Sequence, residues 1–297
     1  MSAAVSWRVG IDLGGTHLRL LGESDNGERT GVACVPTPRG YDDLLSRVAS
    51  MLASSLNGPV SAIGCGICGT SDDEQAVFVP ALPWIEGRPI GKDLSALANA
   101  PVLLGMDGHY TLLSEMTEGA AKTCGSAVLV AGGTGIGGAI MLGRKIWRGA
   151  RGSAGSFGWL CARGGTDDRE HGPYEQIASG AALSKVADEY RAGWKGEELV
   201  AAARAGDAGA VALTNRFGKE FGRGLAALAS VLDPEMIIVG GGLSEAMDVL
   251  GAAIEEAMRD CASPNGRQVA IRRAALGSHA GVIGALVATK AGAEVWL

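Results

Sequence analysis

Apolar positions along the chain come in short runs broken by glycine. VGIDLGGTHLRLL reads as an apolar strand, a glycine turn and a second apolar strand, and SAVLVAGGTGIGGAIML repeats that form in the second half. Between them the pattern predicts a helix over 41–57, a strand in AIGCGIC, an irregular stretch to Ala100 and a strand in PVLLGMD. A helix over about 108–123 follows. The same form opening both halves predicts two related α/β lobes. The expected division is 1–106, with 283–297 packed back on it, and 107–282, with a cleft between them.

The echo also separates two readings of the glycine-rich loops. In a dinucleotide-binding fold the glycines follow a strand and open a helix, whereas here Asp12-Leu-Gly14-Gly15-Thr16 and Gly133-Thr134-Gly135 are each followed by strand-like sequence. Both are therefore hairpin turns. Glycine lets such a turn bring its backbone N–H groups close to a phosphate, and two of them, each with Gly-Gly-Thr, favour phosphate binding. A third glycine run, Gly240, Gly241 and Gly242, follows the strand 236–239 and precedes a long helix. It is open to two readings, a tight strand-to-helix turn or a surface for a nucleotide near a helix N-terminus.

Composition narrows the class. The 297 residues suffice for two cores, and with 47% hydrophobic but only 5% aromatic residues those cores must be built from Ala, Val, Leu and Ile. A net charge of −6 offers no basic stripe for nucleic acid, and no apolar run reaches membrane-span length. The expectation is a cytoplasmic protein with no nucleic-acid or membrane partner. The six cysteines are scattered, and the close pair Cys65 and Cys68 lies in an apolar strand, which favours buried thiols over a redox or zinc pair.

With these sites in this order, the chain resembles the ROK family of sugar kinases, in the actin, hexokinase and Hsp70-like ATPase superfamily. IDLGGTHLR stands at the first phosphate loop, ALPWIEGRPI at the family's Asn-Leu-Pro segment, MDGHYTLLSE at its Asn-Asp-Ala-Asn helix start and GGTGIGGAI at the second phosphate loop. YEQIASG, DPEMIIVGGG and HAGVIGALVA complete the match as the Glu-containing segment, the adenosine site and the closing helix. The resemblance implies an α/β, two-lobed actin-like ATPase (ribonuclease H-like) fold with an interlobe cleft, and an ATP-dependent kinase using Mg²⁺. Members of the family often pair as homodimers. No DNA-binding helix-turn-helix precedes Ile11, so the repressor branch is not expected.

For a kinase, one carboxylate accepts the proton of the attacking hydroxyl while other groups position phosphates. Asp107, closing a strand and opening a helix, is the expected base; the plain alternative is a helix N-cap. Asp12 would orient Mg²⁺ or its water ligands, and Thr16 and Thr134 would offer hydroxyls to phosphate oxygens.

The sugar pocket departs from the family. Where members read Gly-x-x-Gly-Glu-x-Gly-His, this chain reads Gly152-Ser-Ala-Gly155-Ser156-Phe157-Gly158-Trp159, so Ser156 and Trp159 replace a sugar-binding Glu and a His that also ligates a structural zinc. Cys161 and nearby His171 remain of the zinc loop, but Pro173 stands where a cysteine is usual; two ligands do not close a tetrahedral site, and no structural zinc is expected. Met106 replaces an Asn before the base and Ala81 replaces the Asn of the Leu-Pro segment, while Glu175 and Thr70 survive as sugar contacts.

A sugar hydroxyl left unpaired against Met106 or Trp159 costs about 1–3 kcal/mol. Plain glucose should bind poorly, and either the substrate is an N-acetylated, amino or deoxy hexose or the pocket has relaxed. Trp159 is read as a stacking platform or a core residue, and His109 as a substitute donor or an exposed helix residue. A non-catalytic sugar sensor and a cyclitol or polyol kinase are the rival functions. Arg148, Arg151 and Arg163 read as surface charges, and Asp72 to Glu74 as a solvated turn.

Overall fold

The computed structural model describes residues 5–72, 74–161 and 170–297. Asp73 of the acidic turn, Arg163 and most of the expected zinc loop lie outside them.

In chain order the elements are β1 (Trp7–Leu13), β2 (His17–Ser24), β3 (Ala33–Pro36), α1 (Tyr41–Ser55), β4 (Val60–Ile67), β5 (Thr70–Ser71), β6 (Ala76–Phe78), α2 (Ile90–Ala98), β7 (Val102–Met106) and α3 (Asp107–Thr117). Then come β8 (Ala127–Gly132), β9 (Ile136–Leu142), β10 (Lys145–Ile146), α4 (Glu175–Ala178), α5 (Gly180–Tyr190), α6 (Gly196–Arg204), α7 (Ala208–Leu232), β11 (Met236–Gly240), α8 (Met247–Cys261), β12 (Ala270–Arg273) and α9 (Ala280–Ala291). They form two compact units, one comprising the chain up to Lys122 with Arg144–Ala154 and Ser278–Leu297, the other Thr123–Gly143 with Gly155–Gly277.

The first unit holds a sheet in the order β3-β2-β1-β4-β7, with β2 antiparallel to β1 and with β4 and β7 parallel to it. In the second unit β9, β8, β11 and β12 repeat that plan, an antiparallel hairpin followed by two parallel neighbours. Strands flanked by helices read as continuous apolar runs. Val9, Ile11 and Leu13 accordingly pack with Leu44, Val48 and Ile63 in one core, and Val128, Val130, Phe221, Leu225 and Ile237 in the other. This is the two-lobed α/β, actin-like fold.

α9 packs against β1, β2, β4 and α3. Its Val282 and Leu286 are fully buried beside Leu21, each worth about 1.5–3 kcal/mol of burial. α3 lies against α9 in the same unit, so the division falls after Lys122 and not at the expected 106/107 boundary.

Other boundaries also differ from the sequence reading. The stretch read as irregular contains α2, whose Ile90 and Leu94 lie one turn apart on the buried side and whose end is closed by Asn99 at φ +50. α1 ends at Ser55, leaving Asn57 Oδ1 to accept from Trp7 Nε1 at 3.1 Å. α3 ends at Thr117, where Glu115 Oε2 turns back to accept the N–H of Ala120 at 2.7 Å. After Gly240 the chain makes a 3₁₀ turn, Gly242–Ala246, before α8 begins.

Candidate active site

The carboxyl ends of parallel strands are where open α/β sheets gather ligands. In the first unit β4 lies between β1 and β7, with Asp12 opposite Gly66 and Met106 opposite Ile67. The register therefore sets Asp12 and Asp107, the residue after Met106, on either side of one strand end.

Asp107 begins α3 but does not cap it. Met106 holds the N-cap position, and Asp107 Oδ1 accepts the adjacent Gly108 N–H at 2.7 Å. The carboxyl keeps part of its surface open yet is enclosed by protein, and that burial, reinforced by the charge of Asp12, pushes its pKa up to about 7. Asp12 is itself buried and raised by desolvation, with Arg19 Nη1 at 3.4 Å opposing the shift. Two crowded carboxylates, one with a single guanidinium nearby, are short of positive charge. Hard oxygen donors in that state suit Mg²⁺.

The β1–β2 turn is held by Gly14 N–H donating to His17 O at 3.0 Å, by Thr37 Oγ1 donating to Gly14 O at 2.6 Å and by Thr37 N–H donating to Thr16 O at 2.9 Å. Gly15 and Thr16 are left exposed, and Ala81 lies beside Gly15. In the second unit Gly133 N–H donates to Gly135 O at 2.9 Å across the β8–β9 turn, and Gly180 N–H donates to Gly133 O at 2.8 Å. No atom stands within 4 Å of where a side chain at Gly133 or Gly242 would begin, so both turns present open backbone to a ligand. Gly241, between Gly240 and Gly242, takes φ +70 against Gly132 O, which only glycine does without strain.

The expected sugar contacts fall in both units. Met106 is buried at the end of β7, and Thr70 lies half-buried on β5. Ser156 leads into the 3₁₀ turn Phe157–Trp159, which is tied down by Tyr174 N–H donating to Gly158 O at 3.0 Å. Trp159 is 45% exposed, which removes the core reading of that side chain.

Glu175 lies against the pocket loop, where a side chain at Gly158 would meet it, and also reaches the second glycine turn. Its Oε2 accepts the backbone N–H of Ile136 at 2.6 Å and occupies the space a side chain at Gly135 would need, so it buttresses the second glycine turn. His109 corrects both expectations at once: it is 1% exposed, and its Nε2 lies 2.8 Å from Ala154 O. Residues i and i+2 of a helix point apart, so His109 leaves α3 away from Asp107.

Three neighbours of the carboxylates escaped the sequence reading. Arg19 was legible in principle, because a hairpin turning at Gly14–Thr16 pairs Leu13 with Leu18 and Asp12 with Arg19. Cys68, whose thiol burial pushes up to about 12 with Asp107 adding to it, carried no signal of its own; nor did Gly281 of α9, where a side chain would press on the Asp12 carboxylate. Cys65 is likewise buried and raised to about 12. Arg148 stacks over Trp296, Arg151 is exposed, and Asp72 Oδ1 accepts from the N–H groups of Glu74 and Gln75 at 2.9 and 2.7 Å, closing the acidic turn. Among the described residues no group of three His, Cys, Asp or Glu could hold a metal ion, and no helix is long and apolar enough to cross a membrane.

Comparison with known proteins gives the same reading of the chain. A glucokinase of Streptomyces coelicolor is 30% identical, with 93% of this chain and 95% of that one aligned. An N-acetyl-D-glucosamine kinase of Pectobacterium atrosepticum is 28% identical over 79% of this chain and 83% of its own. Among solved structures, a ROK family glucokinase of Streptomyces griseus in complex with glucose and AMPPNP superposes with a TM-score of 0.82 at 27% identity, covering 96% of this chain and all of that one. Residues 8–291 match the ROK family throughout, so the chain belongs to that family and stands among its ATP-dependent carbohydrate kinases.

Proposed function

We propose that the protein transfers the terminal phosphoryl group of ATP to a hydroxyl of a hexose or modified hexose, with Asp107 taking the hydroxyl proton. The observation that carries this reading is the placement of Asp107 at the carboxyl end of β7 with a pKa near 7. At that value the group is substantially ionised at neutral pH and still basic enough to hold the proton it receives. As the proton passes to Asp107, the sugar oxygen bonds to the γ-phosphorus and the bond to the departing ADP oxygen breaks.

Asp12 would hold Mg²⁺, directly or through water, and the ion supplies charge neutralisation at the phosphates when bound. Gly14, Gly15 and Thr16 of the first unit, and Gly133, Thr134 and Gly135 of the second, are the phosphate contacts this reading uses. Gly240, Gly241 and Gly242 are its adenosine contacts. The nucleotide analogue in the Streptomyces griseus glucokinase supports ATP as donor.

For the acceptor, Met106, Ser156 and Trp159 supply fewer hydrogen bonds than a pocket built for every glucose hydroxyl. A hexose with a deoxy position, or an N-acetyl group whose methyl packs on it, satisfies an apolar wall that a hydroxyl does not. The named relatives, glucokinases and N-acetylglucosamine kinases, bracket that choice. The test is ADP release with Mg·ATP against hexoses, N-acetylhexosamines, aminosugars, deoxy sugars and cyclitols, with Asp107→Asn as control. Turnover of a modified hexose above glucose, lost in the variant, is the expected result. Silence across the panel combined with thermal stabilisation by a sugar would replace the kinase with a sugar-binding sensor.

A further inference from the structure

Arg144–Ala154 is a strap of the first unit that leads directly into Gly155 and Ser156. Gly149, Gly152 and Gly155 all take positive φ, at +75, +70 and +97. A segment punctuated so by glycine has little conformational preference of its own, and within it Gly152 N–H donates to Gly149 O at 3.3 Å and Ala154 N–H to Arg148 O at 3.1 Å.

The neighbours of this strap are specific. His109 on α3 is neutral at ordinary pH, since burial lowers its pKa to about 4, and because Ala154 offers only a carbonyl, Nε2 must donate the hydrogen in the 2.8 Å bond. At the strap's other end Ile146 is fully buried and bridges to Trp296, and Leu297 N–H donates to Ile146 O at 2.9 Å. Trp296 in turn meets Tyr110 edge-on at 5.7 Å and His109 at 6.5 Å between ring centroids, and carries the Arg148 guanidinium 5.5 Å above its ring. The C-terminal tryptophan and His109 thus close one latch over a glycine-rich strap.

We infer that His109 and Trp296 are positioning residues, which hold the 144–154 strap and through it set Gly155 and Ser156 for sugar binding. The second half of this statement rests on the proposed kinase reading; the first half does not. The latch holds the strap without touching substrate, so its loss lowers sugar affinity and leaves the chemical step alone.

The test uses the full-length chain carrying His109→Leu, His109→Gln, Trp296→Ala and the Leu/Ala double change. Gln reaches about as far as Nε2 and restores the donor; Leu fills the space without one. Brief trypsin digestion reads the strap through Arg148 and Arg151, with no sugar present. Losing one buried hydrogen bond opens the strap about tenfold more often, so His109→Leu and Trp296→Ala are cut there about tenfold faster, with cutting elsewhere unchanged and His109→Gln near the parent. On the sugar that the panel identifies, both variants raise KM about tenfold with kcat within twofold, and the double variant shows no further loss, because one latch can be opened only once. Unchanged strap cutting, or faster cutting with unchanged KM, overturns the inference. Uniformly faster cutting over the whole chain also overturns it, as that marks general destabilisation. If the parent protein turns over no sugar, the kinase reading fails separately, and the digestion still decides the latch.

Discussion

Asp12 and Asp107 flank the end of β4, and the charge on Asp12 raises the pKa of Asp107. The pair is arranged so that each carboxylate is easier to ionise once a cation arrives. Removing the charge at Asp12 must therefore lower the pKa of Asp107 in the metal-free protein. Carboxyl carbon NMR titration should place Asp107 near 7 in the parent and at a lower pH in Asp12→Asn; an unmoved midpoint would sever the link between the two groups.

Asp107→Asn should reduce turnover by a factor of about 10²–10⁴ while sugar binding stays within a few-fold. The same change should stabilise the fold in alkaline solution. The folded-state pKa lies above the unfolded one, so folding holds on to the proton, and stability present below about pH 4 is lost as the pH rises through about 7. Asn cannot ionise and avoids that loss. Thermal unfolding should give the variant a Tm a few degrees above the parent at pH 8, at roughly 2–4 °C per kcal/mol, with the gap closing towards pH 4.

Glu175 holds the Ile136 N–H beside the second glycine turn. Glu175→Ala leaves that donor without its acceptor, at about 1–3 kcal/mol, and lets the turn relax. Its KM for ATP should rise more than its KM for sugar, and steady-state kinetics varying each substrate separates the two. A larger effect on the sugar would return Glu175 to the acceptor site. Gly135→Ala, which presses a methyl group on the same carboxylate, should reproduce the ATP defect.

If Ser156 and Trp159 are what exclude plain glucose, Ser156→Glu with Trp159→His should raise kcat/KM for glucose by tenfold or more, about the worth of one regained hydrogen bond. The exposure of Trp159 makes its replacement tolerable to the fold, so melting temperature should change little. No gain on glucose would locate specificity elsewhere, with Met106 the next residue to restore.

Metal analysis of protein purified without chelator should show no stoichiometric zinc. Cys161 and His171 are both exposed, and Pro173 offers no thiol. One zinc per chain would reverse this reading of the loop.

The hairpins, the glycine turns and the placing of Asp12 and Asp107 at strand ends were legible in the chain, because short apolar runs and glycine punctuation act over a few residues and leave a local trace. The helix α2 was missed because its apolar signal is only two buried side chains, Ile90 and Leu94, one turn apart. Three things were decided by tertiary structure alone. The neighbours of a parallel strand come from distant segments, so nothing near Asp12 announced Cys68 or Gly281. Helix direction turned His109 away from the base it follows, and a backbone N–H thirty-nine positions earlier claimed Glu175. Sequence carries what a side chain is able to do; the packing of remote segments determines which partner satisfies it, since a buried polar group must bond to whatever donor or acceptor the fold brings within reach.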